Sequence, residues 1–222
     1  MQRIAFGGPW YHSQVDTRLL ISVVQLTGTG PQVGLLPTVL LPGDGMLDLS
    51  RNVLLAQALG TDCDWYVSFD ADCSFIGQIA ALATTLAEHN QPNVALVAAP
   101  VRLGQNSVYN VVLDDQWPSY TAEMERPTLV QDVARIGFAF VAFRLQWYRE
   151  KWPRIDGGTP LDYQTFFQTT VVPDGHGSFK SNTEDYFHCV KVHNLDGRMV
   201  CDPRLRVKHH IARAGSPEAE TE

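Results

Sequence analysis

The stretch VSFDADCSF, Val67 to Phe75, decides how the rest of the chain is read. Strand-forming residues from Trp65 to Phe69 run straight into Asp70, Ala71 and Asp72. A strand points residues i and i+2 to the same side, so Asp70 and Asp72 are expected to face one spot together. Two like charges there need a cation between them, or water around them. The helical pattern that follows, Ile76–Glu88, makes the stretch one strand–turn–helix unit.

The same unit recurs on either side. Arg3–Phe6 reads as a strand closed by Gly7, Gly8 and Pro9, and Ser13–Leu26 has helical periodicity. Leu35–Leu41 is a second apolar strand, turned by the PGDG of residues 42–45. Leu47–Leu59 is a helix with Gly60 as its C-terminal cap. Val94–Ala99 is a fourth strand, ended by Pro100. Strands alternating with helices predict a mostly parallel α/β sheet covered by helices. Ligands of such sheets bind at the carboxyl ends of the strands, where Asp70 and Asp72 lie.

Beyond Pro100 the pattern changes. Ser107–Leu113 alternates as an antiparallel strand does, and residues 114–127 read as a loop. Val130–Arg144 reads as one long strand with Gly137 inside it, followed by a short helix at Leu145–Lys151. Arg154–Thr183 is rich in Gly, Pro, Asp and Thr, and a loop of that length in a compact domain is functional or mobile. Thr183–Leu195 reads as a helix with Thr183 as N-cap and Glu184 and Asp185 in its first turn, ended by Gly197. Met199–Cys201 and Leu205–His209 are the last expected strands. One domain is expected over 1–212, its two halves dividing at about residue 100. Residues 213–222 read as a disordered acidic tail.

Composition narrows the function classes. The 222 residues are 45% hydrophobic and 18% charged, with a net charge of -7. That is a globular composition without the basic balance of a general nucleic-acid binder. The longest apolar runs fall short of the roughly 20 residues that span a bilayer, so no integral membrane contact is expected. Cys63, Cys73, Cys189 and Cys201 form no C-x-x-C pair. They read as reduced structural thiols of a cytoplasmic protein, without zinc-site spacing.

A D-x-D in an exposed loop is commonplace, but one between a buried strand and a helix at a sheet's ligand end suits a hard divalent cation. Four segments then point the same way: Leu49–Leu59 (LSRNVLLAQAL), Asp64–Phe75 (DWYVSFDADCSF), Arg135–Arg144 (RIGFAFVAFR) and Thr183–His210, which holds TEDY and DPRLRVKHH. In this order they resemble the GT-A-fold glycosyltransferases, especially the small bacterial and phage-encoded enzymes related to glycosyltransferase family two.

The resemblance implies a Rossmann-like GT-A domain with a smaller antiparallel acceptor side. It implies a hexosyl- or pentosyltransferase that moves sugar from a nucleotide sugar, with UDP the expected nucleotide, to an acceptor hydroxyl. Mn²⁺ or Mg²⁺ would bridge the diphosphate. Asp72 would hold the metal and Asp70 the ribose or donor sugar. A histidine after D-P would complete the metal shell: His209 by spacing, His210 otherwise. Arg51, in the S-R-N that matches the family's A-R-N, would contact the nucleotide phosphates; an ion pair with Asp48 is the plainer reading. Asn52 reads as structural. Asp185 of TEDY would take the acceptor's proton with inversion, and Glu184 would orient the acceptor. Retention is open, since GT-A folds host both outcomes.

Pro9, Trp10 and Tyr11 follow the first strand, where the family binds the base, and core packing explains them equally well. Asp44 would touch the nucleotide or simply make its turn. Asp174 and His176 read as loop residues. Arg204, Arg206, Lys208 and Arg213 make the C-terminal end locally basic, either for the diphosphate or as a solvated strand face. Trp117, Tyr120, Trp152, Tyr163, Phe166 and Phe167 would form a sugar platform or a satellite core. The family's further glycine in the RIGFAF segment is replaced by Arg135. The acceptor is open between a glycan, a lipid-linked precursor, a protein and a modified base of phage DNA, in a bacterium or a phage-infected cell. Two alternatives stand beside this reading. One is a haloacid-dehalogenase-like phosphatase with Asp70 as nucleophile, although its motif belongs on a first strand. The other is an inactive nucleotide-sugar or glycan-binding module.

Overall fold

The structure is a computed structural model, and it describes residues 1–9, 16–40, 46–103, 108–112, 129–159, 162–173 and 179–210. Strands β1 (Gln2–Gly7), β2 (Leu35–Val39), β3 (Trp65–Phe69), β4 (Val94–Ala98), β5 (Gln131–Asp132), β6 (Phe140–Arg144) and β7 (Arg198–Cys201) make one seven-stranded sheet. Their order is β2-β1-β3-β6-β4-β7-β5. Strands β1, β2, β3, β4 and β7 run one way, and β5 and β6 run the other. Two-stranded antiparallel pairs lie outside it, among them residues 170–173 with 179–182 and residues 73–74 with 208–209.

Helices cover both faces. They are α1 (Thr17–Thr29), α2 (Leu47–Leu59), α3 (Ile79–Glu88), α4 (Leu145–Lys151) and α5 (Glu184–Asn194). The period-2 alternation of the strands sorts the core between them. Ile4, Phe6, Val67 and Phe69 pack toward Leu19, Leu26, Leu82 and Leu86 of α1 and α3. Ala5, Tyr66 and Phe143 pack toward Leu54, Leu55, Trp147 and Val192 of α2, α4 and α5. This is the sandwich expected of a sheet buried on both faces.

The expected elements recur with local differences. Helix α1 runs through Gly28 and continues as a 3-10 turn, Gly30–Val33, before Gly34 adopts the left-handed backbone (φ 87°) that stops it. Helix α3 begins at Ile79 rather than Ile76, after a turn at Gly77 (φ 73°). The single strand expected over 130–144 is broken into 131–132, 135–136 and 140–144. Its break is at Gly137–Ala139, where Gly137 N–H donates to the Asn110 carbonyl at 2.7 Å instead of to a sheet neighbour. The segment 154–183, expected to be a loop, carries the 170–173 and 179–182 hairpin.

The end of α5 is managed differently from the sequence expectation. The left-handed residue is Asp196 (φ 57°), and a side chain at Gly197 would run into the Trp147 ring at 2.5 Å. Gly197 is required there by packing rather than by backbone conformation. All four cysteines are buried, and none is joined in a disulfide. Among the described residues, no helix is long and apolar enough to cross a membrane.

Candidate functional site

Strand β3 is buried along its whole length and then stops abruptly. Asp70 N–H donates to the Ala139 carbonyl at 3.0 Å, and Cys73 N–H donates back to the Asp70 carbonyl at 3.1 Å. A tight turn therefore forms at Ala71 and Asp72, and the two-residue periodicity of the strand does not carry through it. The two carboxylates consequently have different partners. Asp70 turns to Arg51, and Asp72 turns to His209. Their repulsion is relieved by two separate contacts, not by the single shared spot expected from a flat strand.

The Asp72 side is the outer half of the site. Residues 73–74 pair antiparallel with 208–209, setting His209 opposite Cys73. The His210 N–H donates to the Asp72 carbonyl at 2.7 Å. This register brings His209 Nε2 to 3.0 Å from Asp72 Oδ2. His210 leans away, with Nε2 2.7 Å from Ser74 Oγ. The contact with Asp72 raises the pKa of His209. Burial works to raise that of Asp72, but the His209 contact prevails and lowers it.

Asp72, Cys73 and His209 are the acid, thiol and imidazole groups close enough to share an ion. The fit can be tested on their chemistry. Two cis ligands each about 2.1 Å from an octahedral cation lie about 3 Å apart, which the Asp72–His209 spacing meets. Half of the Asp72 side chain is open to solvent, leaving room for further ligands. Burial raises the Cys73 thiol well above its usual range, and sulfur is a soft ligand, poorly matched to a hard cation. Asp72 and His209 therefore suit Mn²⁺ or Mg²⁺, and Cys73 does not contribute.

The inner half is organised by Arg51, whose side chain is only 4% exposed. It sits in the second turn of α2, with its guanidinium 5.8 Å from the centre of the Phe138 ring. Nη2 donates to Asp70 Oδ1 at 2.8 Å. Nη1 donates to Glu184 Oε1 at 2.6 Å and also to Asp185 Oδ1. The sequence expectation put this arginine against nucleotide phosphates, or against Asp48. The structure turns it onto three other carboxylates, while Asp48 accepts the Leu49 N–H.

Asp185 begins α5 and is held from two directions. Phe138 N–H donates to its Oδ2 at 3.1 Å, from the turn that interrupts the 130–144 segment. A side chain at Gly137 would approach that oxygen to 3.6 Å and the Asn110 side chain to 3.0 Å. Buried Asn110 fixes the turn, donating from Nδ2 to the Gly137 carbonyl and accepting the Val101 N–H, both at 2.7 Å. Burial raises the Asp185 carboxyl to about 6 against the pull of Arg51, and Glu184 and Asp70 add to the rise. Such a group suits proton transfer near neutral pH. Asn110 and the Phe138 N–H carry no sequence motif; the apolar–Gly–apolar run of residues 136–138 was their only trace.

Other expected participants lie elsewhere. Pro9 is buried at the end of β1, and Trp10, Tyr11 and Asp44 lie outside the described residues. So do Trp117, Tyr120, Asp174, His176 and Arg213. Trp152, Phe166 and Phe167 are buried and join the core on the α2, α4 and α5 face of the sheet, neither a separate satellite core nor an open platform. Among them is His188, which the sequence reading missed. Its ring stacks between Trp152 and Phe167, and it accepts the Tyr148 hydroxyl proton at Nε2 (2.8 Å) while Nδ1 donates to the Phe166 carbonyl (3.1 Å). Burial lowers its pKa to about 3, so it is a neutral packing group. Arg204 is held by Asp202 and Glu88, and Asp202 also takes Thr85 and His89. The D-P-R sequence is thus a structural latch on α3.

No family model matches the chain, and no curated protein does either. Solved structures do. A197 from STIV is similar over 96% of this chain and 87% of its own, at 15% identity and a TM-score of 0.56. S. aureus TarS 1-349, solved in complex with UDP-GlcNAc, is similar over 99% of this chain and 60% of its own, at 13% identity and a TM-score of 0.50. These likenesses are of fold. With the observed sheet order, they give the chain a GT-A-like α/β fold.

Proposed function

We propose that the protein is a metal-dependent glycosyltransferase that uses a nucleotide sugar, with UDP the favoured nucleotide. The observation that carries this reading is the pairing of two unlike half-sites at one end of the sheet. One is a cation-binding pair, Asp72 with His209. The other is a partly buried carboxyl, Asp185, raised toward neutrality. The UDP-GlcNAc complex of a fold relative adds support. Asp70 joins the halves, because Oδ1 is held by Arg51 while Oδ2 has no partner among the described residues and is free for a ribose or sugar hydroxyl.

In this reading Asp72 and His209 would hold the divalent ion, whose chemistry would be to offset the charge of a departing diphosphate. Asp185 accepts the proton of the acceptor hydroxyl. The acceptor oxygen forms its bond to the anomeric carbon as the bond to the diphosphate oxygen breaks, and that electron pair leaves with the nucleoside diphosphate. A base on the face opposite the leaving group gives inversion. Glu184, fixed on Arg51, helps to orient the α5 end of the site. A phosphatase of that kind would need Asp70 as its nucleophile at the end of a first strand, yet Asp70 follows β3, after two strand–helix units, so the transferase reading is preferred.

The test is a panel of nucleotide sugars with Mn²⁺, read as free nucleoside diphosphate. One donor should be turned over, and chelation or Asp72→Asn should remove most of that turnover. Release from every donor at the level of a no-enzyme blank, or turnover indifferent to both chelator and Asp72→Asn, would sink the proposal.

A further inference from the structure

Arg51 is joined to groups far apart in sequence. Asp70 lies 19 residues away, and Glu184 and Asp185 lie 133 and 134 residues away. One guanidinium thus ties the strand–turn unit of the first half to the first turn of α5 in the second. We propose that Arg51 is a positioning residue: it locks Asp185 to Asp70 and keeps Asp185 ionised, and it takes no part in holding a nucleotide phosphate. This rests on the transferase reading only in naming Asp185 as the base.

The accounting of donors supports it. Both hydrogens of Nη1 go to carboxylates, and Nη2 serves Asp70. Nε is buried and has no partner. A guanidinium fork suits planar bidentate anions, but this one is already engaged and almost inaccessible. Its single positive charge faces three carboxylates, so a phosphate brought here would meet an excess of negative charge.

The groups around Asp185 are few. Arg51 faces it from α2, Glu184 from its own helix, Asp70 from the end of β3, and the Phe138 N–H from the 137–139 turn. The Cys189 thiol, one turn further along α5, is pushed up to about 12 by burial and is neutral. Arg135 stacks over the Tyr186 ring at 4.1 Å. Arg51 is therefore the cation in contact with Asp185 among the described residues. Removing it leaves burial and two like charges, all of which favour the protonated carboxyl.

The experiment does not depend on finding a substrate. Carboxyl carbons of ¹³C-labelled protein are titrated by NMR in wild type, Arg51→Lys and Arg51→Met, with the Asp185 resonance assigned by Asp185→Asn. UDP binding with Mn²⁺ is measured in parallel by calorimetry. The Asp185 midpoint should rise by about one pH unit or more in Arg51→Met. In Arg51→Lys it should rise less, since a lysine can meet one carboxylate but not all three. UDP affinity should change by less than threefold. If Arg51→Met does not fold, Arg51→Lys decides. An unmoved Asp185 midpoint in a folded variant overturns the proposal, and so does a tenfold or greater loss of UDP affinity. Failure of the wild type to bind UDP would count against the donor reading while leaving the Arg51–Asp185 linkage measured.

Discussion

At the scale of single residues, the site works by giving chemically identical groups different surroundings. Asp70, Asp72 and Asp185 are all aspartates. Asp72 is half open beside an imidazole, Asp70 shares a guanidinium, and Asp185 is partly buried against a backbone N–H. Pushing pKa values apart in this way separates acid–base work from cation binding. For Asp185 the sign is direct: the ionised form is the base, its pKa is raised to about 6, and so activity is lost as pH falls through that value. The acid limb of kcat/KM should fall tenfold per pH unit below about 6, and Asp185→Asn should slow transfer by about 10²- to 10⁴-fold. The variant should bind UDP with Mn²⁺ as wild type does. Normal turnover by the variant, or a flat acid limb down to pH 4, would remove Asp185 from the role of base. That Asp185 lies in a first helical turn was plain from TEDY. Its burial and its hold on Phe138 were not, because both depend on a turn 47 residues away.

At the scale of elements, two joints place the catalytic side chains. One is the pairing of 73–74 with 208–209, which chooses His209 over His210 by register. In a strand, neighbouring side chains point to opposite sides; sequence spacing favoured His209, and the partner strand sets that residue, not His210, beside the Asp72 carboxylate. The other joint is Asn52 on α2. Its Nδ2 donates to the Asp48 and Phe167 carbonyls, and its Oδ1 accepts the Phe166 and Phe167 N–H groups. It thereby pins the aromatic segment that packs on His188 and α5. Asn52→Ala leaves buried backbone groups unsatisfied at about 1 kcal/mol or more each. The expected loss is about 2–3 kcal/mol, read from urea unfolding with an unchanged m-value. A cost within about 0.5 kcal/mol would show that the segment is held by its aromatics alone. The sequence marked Asn52 as structural, but its bonds to Phe166 and Phe167 reach more than a hundred residues on, into a stretch with no periodicity.

For the whole molecule, the site closes only when the two ends of the chain meet. The proposed metal pair joins residue 72 to residue 209, and the Arg51 cluster joins α2 to α5. A cation bound across the first joint stabilises the folded state by mass action, about 2.7 kcal/mol at a hundredfold excess over Kd. Mn²⁺ with UDP should therefore raise Tm by several degrees in wild type and His210→Ala, and by far less in His209→Ala, as followed by scanning calorimetry. Equal shifts in all three proteins would place the ion elsewhere. The sequence by itself determined the α/β alternation, the ends of α2, β3 and α4, the strand-end position of Asp70 and Asp72, and the capping position of Glu184 and Asp185. Those properties come from periodicity, turn residues and local capping, which act over a few residues. Only the tertiary structure decided that Asp70 and Asp72 part company at their turn, that Arg51 faces carboxylates, that the 130–144 strand breaks to present Phe138 N–H, and that His188 is core. Each of these depends on which distant group arrives opposite, and burial and pairing between remote segments leave no local pattern in the chain.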